Sequence, residues 1–221
     1  MIRAESIPFD PEKVVQLGKL VSQGEGQHLE FKRKASYPEK VVREMIAFAN
    51  TEGGILLIGV DDNKSIPGVK FPEEESMAIH AVLKKQCRPG LTFHESIIPI
   101  SEKRFVLQWR IPKSDRRPHF LISDGSRNAF VRHKDQSIVA SAEMCEIIRR
   151  SKSKQGARFT YGEAEQKIIH YLDEQHAISL KEFSQLTGLN RFMASRKIIR
   201  LVLANILKIT ATDKGDLYSR V

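Results

Sequence analysis

An α/β (α+β) domain built on a mixed sheet, followed by a smaller helical domain ending in a hairpin, is the fold class the sequence predicts. Three observations predict it. GILLIGVDDN is apolar almost without interruption from Ile55 to Val60 and breaks at Asp61 and Asp62, the pattern of a strand covered on both faces. Segments of helical period are interleaved with segments of period two up to residue 150. Beyond residue 160 the rhythm becomes three short helical segments and two closing strands.

Taken in order, residues 11–23 predict a short helix with Val14, Val15, Leu17, Leu20 and Val21 on its apolar side. Residues 28–33 alternate, with Leu29 and Phe31 pointing one way and His28, Glu30 and Lys32 the other. Ser36 opens a helix three residues ahead of Glu39, a capping-box spacing, with Pro38 in the first turn where proline is tolerated. Val41, Val42, Met45, Ile46, Phe48 and Ala49 form its apolar face, and residues 50–54 end it. Residues 73–86 are a further helix. Residues 92–100 and 104–111 form a hairpin, and residues 120–122 and 129–133 form a second one that turns through Ser123-Asp124-Gly125-Ser126. A helix over residues 141–150 closes the first domain.

The stretch RRSKSKQGAR carries five cations (Arg149, Arg150, Lys152, Lys154 and Arg158) and no acid, and it has no apolar period. It reads as a linker over residues 150–160 between domains at 1–149 and 161–221. Arg150, Lys152 and Lys154 either solubilise that hinge or follow a phosphate backbone. In the second domain Ile168, Ile169, Tyr171 and Leu172 mark a first helix, and Ser179 with Glu182 caps a second. Asn190 caps a third that runs to about residue 204, and strands at 206–212 and 216–221 turn through Asp213-Lys214-Gly215. Three helices and a terminal hairpin make a winged helix. In that architecture the third helix reads the DNA major groove. It offers Arg191, Arg196, Lys197 and Arg200, and Lys214 sits in the wing. Residues 161–221 hold nine cations against seven anions, a weak excess that also suits dimerisation or protein docking.

The whole chain has a formal charge of +9, which favours an acidic partner, nucleic acid first, DNA or RNA. No apolar run approaches the roughly 20 residues that cross a bilayer, and the start lacks the apolar core of a secretory signal. The two cysteines, Cys87 and Cys145, form no CxxC, so buried thiols in a reducing cytoplasm are expected. There is no GxxxxGK[ST] loop for ATP, no HxxxH or HExxH metal pattern and no recognisable nucleophile set.

The segment GEGQHLEFKRK, the helix ending AFANTEGG and the strand ILLIGVDDNKSIPGV together resemble the Schlafen/AlbA-type DNA-binding domain. FVRHKDQSIVAS resembles that domain's closing strand and the start of its last helix, so the likeness covers roughly residues 10–150. The resemblance implies nucleic-acid binding, and bacterial and archaeal members are often joined to a C-terminal winged helix. In some Schlafen relatives it also implies a metal-dependent ribonuclease with three acids, which here fall on Glu25, Glu30 and Asp62, with Asp61 adjacent and Lys32 as the motif lysine. Eukaryotic relatives pair two such lobes around RNA; a single lobe would need a homodimer for a comparable channel.

If Asp62 ends a strand beside Glu30, three carboxylates converge. Two of them about 5 Å apart repel by about 3 kcal/mol at an effective dielectric of 20. Protonation, Lys32 or a divalent Mg²⁺ or Mn²⁺ would relieve that repulsion, and such a metal could activate water beside a phosphate. Equally, Lys32 and Lys34 could pair with Glu25 and Glu30 on a solvated strand. Arg127 and Arg132, with Lys113, Arg116 and Arg117 ahead of them, either line a groove for a backbone or solubilise loops. The resulting expectation is a DNA-binding transcriptional regulator. The alternatives are an endonuclease acting on RNA or single-stranded DNA, and an adaptor whose winged helix dimerises.

Overall fold

The computed structural model describes residues 7–151 and 161–221. Lys152 and Lys154, with nearly all of the expected linker, lie outside the described residues. The chain divides into two units, residues 1–137 and 138–221. The division falls ahead of the boundary expected at 149, so the helix expected to close the first domain belongs with the second unit.

The chain runs through α1 (Pro11–Ser22), β1 (Leu29–Lys32), α2 (Pro38–Asn50), β2 (Gly54–Ile58), α3 (Pro72–Gln86), β3 (Cys87–Arg88), β4 (His94–Ser101), β5 (Arg104–Ile111), β6 (Phe120–Ser123), β7 (Ser126–Asn128), β8 (Phe130–His133) and β9 (Gln136–Val139). The second unit continues through α4 (Ala142–Arg150), α5 (Glu163–Glu174), β10 (Ile178–Ser179), α6 (Leu180–Thr187), α7 (Arg191–Leu203), β11 (Leu207–Thr210) and β12 (Leu217–Arg220). No described helix is long and apolar enough to cross a membrane.

The central sheet of the first unit is mixed, as expected, in the order β1-β2-β5-β4. β1 and β2 run parallel, with Glu30 opposite Leu56, and the other pairings are antiparallel. On one face Leu17 and Val21 of α1 pack with Phe31, Leu57, Ile98 and Val106. On the other, α2 and α3 cover Leu56, Ile58, Leu107 and Trp109. Cover on both faces is why β2 reads as an unbroken apolar run.

α2 is itself buried nearly all round from Val41 to Asn50, because β8 packs on it as well as the sheet and α3. Its start departs from the capping box expected at Ser36. The N-cap is Tyr37 with no side-chain bond, and Glu39 instead accepts a hydrogen bond from Gln86 Nε2 at 2.6 Å.

The second hairpin also departs from expectation. β6 pairs with β7, Ser123 facing Ser126 across Asp124 and Gly125. Both turn residues have positive φ, 48° and 75°, as a two-residue hairpin loop requires. Residues 130–133 form β8 and pair with β9 in a separate two-stranded sheet. The tight turn uses up the pairing of β6 on residues 126–128 and leaves the next strand free.

In the second unit three of the four described helix starts are capped by a side chain. Ser141 Oγ accepts from Met144 N at 2.9 Å, Ser179 and Glu182 form the expected capping box, and Asn190 Oδ1 accepts from Met193 N at 2.9 Å. Gly188, at φ 70°, ends α6 in the left-handed conformation that glycine adopts without strain. α5, α6 and α7 enclose Ile168, Leu172, Phe183, Ala194, Ile198 and Leu201, closed by Leu207 and Tyr218 from a sheet in the order β10-β12-β11. β10 is the one strand there that the sequence reading does not contain.

Candidate functional site

The acidic residues singled out in the sequence meet arginine. Arg132, on β8, is 4% exposed. Its Nη2 donates to Glu30 Oε2 at 2.5 Å and its Nη1 to Glu44 Oε2 at 2.9 Å. The guanidinium also donates to the Gly26 carbonyl through Nε and Nη2, and its carbon lies 5.0 Å from the centre of the Phe48 ring. Lys32 Nζ binds the other oxygen of Glu30, Ser137 Oγ donates to Glu44 Oε2, and Arg43 pairs with Glu44 Oε1 at 3.1 Å. One planar fork thus holds two buried carboxylates, one from β1 and one from α2. Burial pushes the Glu30 carboxyl above its ordinary range; the Lys32 charge pulls it down, the Glu44 charge adds to the rise, and Arg132 opposes it.

The loop ahead of β1 is shaped around the same strand. Glu25 Oε1 accepts from Phe31 N at 2.8 Å, so this glutamate ties its own loop to the sheet. Gln27 Nε2 donates to the Arg132 carbonyl, and its Oε1 accepts from Lys134 N. Beyond β2, Asp61 pairs with Arg33 at 3.6 Å and accepts from Ser65 Oγ, while Asp62 is exposed. Among the described residues no group of three histidine, cysteine, aspartate or glutamate side chains stands close enough to hold a metal ion. The expected Mg²⁺ or Mn²⁺ set of Glu25, Glu30 and Asp62 is therefore not brought together. Cations of the chain itself satisfy Glu30, a backbone amide occupies Glu25, and Asp62 lies in solvent, so these residues do not fit a shared metal.

The two acids separate in a stability measurement. Asp62→Ala is expected to stay within about 0.5 kcal/mol of wild type, as exposed substitutions do. Glu30→Ala is expected to cost about 2 kcal/mol, because it takes a charged hydrogen-bond partner from a buried guanidinium. Equal midpoints in urea for the two variants would contradict this assignment.

The expected nucleic-acid contacts divide in the same way. Arg132 is a correction: a side chain held under the surface between two carboxylates does not reach a phosphate. Lys197 Nζ is drawn to Glu165 Oε1 of α5 at 2.5 Å, on the flank of α7. Lys34, Arg127, Arg150, Arg191, Arg196, Arg200 and Lys214 are exposed, with Arg127 lying 3.9 Å over the Phe120 ring. Of the cysteines, Cys87 is buried and Cys145 half-buried, and no disulfide joins them. Burial raises the Cys87 thiol to about 11, which keeps it unreactive.

Two residues of this arrangement escape the sequence reading, though each carries a signal. Glu44 sits three residues after Val41 and four before Phe48, a charge inside the apolar stripe of a helix. Asn50 ends that helix with its side chain fully engaged. Nδ2 donates to the carbonyls of His119 and Phe130 at 3.0 and 2.9 Å, and Oδ1 accepts from His119 N at 2.7 Å.

The fold around these residues defines an α+β domain whose β1 motif is locked to a late strand by buried charge. The sequence pattern described as Schlafen, AlbA_2 matches residues 25–141, more than half of the chain, and the chain belongs to that family. In structure it is similar to the N-terminal domain of a RecG-related protein from Nitrosomonas europaea, solved by NMR. That similarity has 21% identity and a TM-score of 0.43, over 57% of this chain and 95% of that one. It is also similar to the DIP2311 protein from Corynebacterium diphtheriae, with 15% identity and a TM-score of 0.46 over 94% of this chain. Only 38% of that longer chain is spanned. None of the curated proteins compared with the chain matches it.

Proposed function

We propose that this is a nucleic-acid-binding protein of two modules, a Schlafen AlbA_2 domain and a winged helix, acting as a regulator that occupies DNA or RNA. Family membership supports nucleic acid as the ligand. The single observation that carries the reading for the second unit is the set of free cations on α7 and the terminal hairpin. Arg191, Arg196, Arg200 and Lys214 are exposed, and none has an ion-pair partner among the described residues. The order of α5, α6 and α7 before a β10-β12-β11 sheet supports the winged-helix assignment, with α7 as third helix and residues 211–216 as the wing. Nothing favours the nuclease reading to the same degree, since the acids it needs serve Arg132, a backbone amide and solvent.

Binding by the full chain to labelled DNA and RNA across a salt series tests this. Wild type should bind with strong salt dependence, and Arg191→Ala with Lys214→Ala should lower the slope by about 1.4–1.8, near 0.7–0.9 for each phosphate no longer neutralised. Absence of binding to any nucleic acid, or a slope unchanged in the double variant, would overturn the proposal for these residues.

A further inference from the structure

α4 and α7 of the second unit pack side by side, fastened where Ser195 Oγ donates to Glu143 Oε1 at 2.8 Å. Between them runs a groove of about 490 Å³, with Arg150 of α4 on one wall and Phe192, Arg196 and Arg200 of α7 on the other. Residues 192, 196 and 200 recur every four positions and share one helix face. None of the three arginines is in an ion pair among the described residues. The groove also holds two acids: Glu143 accepts from Ser195, and Glu146 is paired with Arg149. With that pair neutral, three positive charges face the one negative charge of Glu143, a net of +2. Phe192 is 67% exposed, an aromatic ring left in water, and Arg196 lies over it at 5.6 Å.

A lone α-helix, about 10–12 Å across with its side chains, just fills a DNA major groove about 12 Å wide. Two helices packed with axes about 8–10 Å apart make a body close to 20 Å across. With α4 against its flank, α7 presents on that side a broader body than a lone recognition helix. An unpaired strand sets no groove width to match. Its phosphates suit the arginine forks, and an unstacked base suits the exposed ring.

We propose that the α4–α7 groove is a binding site for an unpaired nucleic-acid strand, with Arg150, Arg196 and Arg200 on its phosphates and Phe192 stacked under a base. This rests on the nucleic-acid reading above and names the form of ligand that the groove takes. Fluorescence anisotropy of the full chain with labelled oligothymidylate, oligouridylate and a duplex of equal length tests it. Wild type is expected to prefer the single strands. Phe192→Ala should weaken single-strand binding about 5- to 150-fold, the range for removing one ring from under a base, while leaving the single-strand salt slope and any duplex binding unchanged. Because Phe192 lies on the surface, the fold should survive, and Phe192→Trp should restore binding. Arg196→Ala with Arg200→Ala should lower the single-strand slope by about 1.4. Single-strand affinity unaffected by Phe192→Ala, or a preference for duplex that this variant weakens, would overturn the groove. Absence of binding to all three probes would overturn the nucleic-acid reading itself.

Discussion

Arg132→Ala should lower the stability of the first unit by about 3 kcal/mol, the lower end of the 3–5 kcal/mol typical when one partner of a buried ion pair is removed. The variant leaves Glu30 and Glu44, 6% and 4% exposed, without the guanidinium they share. The lower end applies because Lys32 and Arg43 remain to hold one oxygen of each acid. Arg132→Lys keeps the charge but loses the fork that reaches both acids and the Gly26 carbonyl, so an intermediate loss is expected. Trp109 is the single tryptophan of the chain and fully buried in the first unit, so its fluorescence in urea reports this unit alone. A midpoint for Arg132→Ala equal to that of wild type would contradict the network as a structural tie.

Asn50→Ala is expected to cost about as much, near 3 kcal/mol, by a different route. It removes three hydrogen bonds at once and leaves the His119 amide and the carbonyls of His119 and Phe130 without their side-chain partner. Each such buried group costs about 1–3 kcal/mol, and some relaxation keeps the total well below the sum. Asn50→Asp should be no better, since it sets an oxygen where Nδ2 faces two carbonyl oxygens. Hydrogen exchange at the His119 amide is the local measurement: protection should fall in both variants, and unchanged protection with an unchanged urea midpoint would remove Asn50 from this role.

Much of the architecture was legible because it depends on local chemistry. The helices capped by Ser179 and Asn190 begin where the capping residues predict, and β2 announces its two-sided burial by its unbroken apolar run. The second hairpin was legible only in its turn. Which strand β8 joins is decided by a pairing outside that turn, and alternation alone leaves the partner open. The acidic site was harder still. Glu25 and Glu30 are conspicuous in GEGQHLEFKRK, but whether a carboxylate meets metal, water or arginine depends on residues more than a hundred positions away, as Glu30 with Arg132. A sequence reading places Arg132 on the surface because arginine is rarely fully buried; it is buried here because two acids accompany it. Ser36 shows the opposite limit: a well-spaced capping pair remains unused when Glu39 finds Gln86.

The tie between β1 and β8 also orders events during synthesis. A ribosome delivers the chain from its N-terminus, so Glu30 and Glu44 emerge well before the arginine that will hold them. Until Arg132 arrives, burying them would leave two carboxylates short of their shared counter-charge, and water is the better solvent for both. Lys32 and Arg43 emerge with the two glutamates and hold one oxygen of each. The expected consequence is that final closure of the segment that carries the family motif waits for the charge brought by a strand made a hundred residues later.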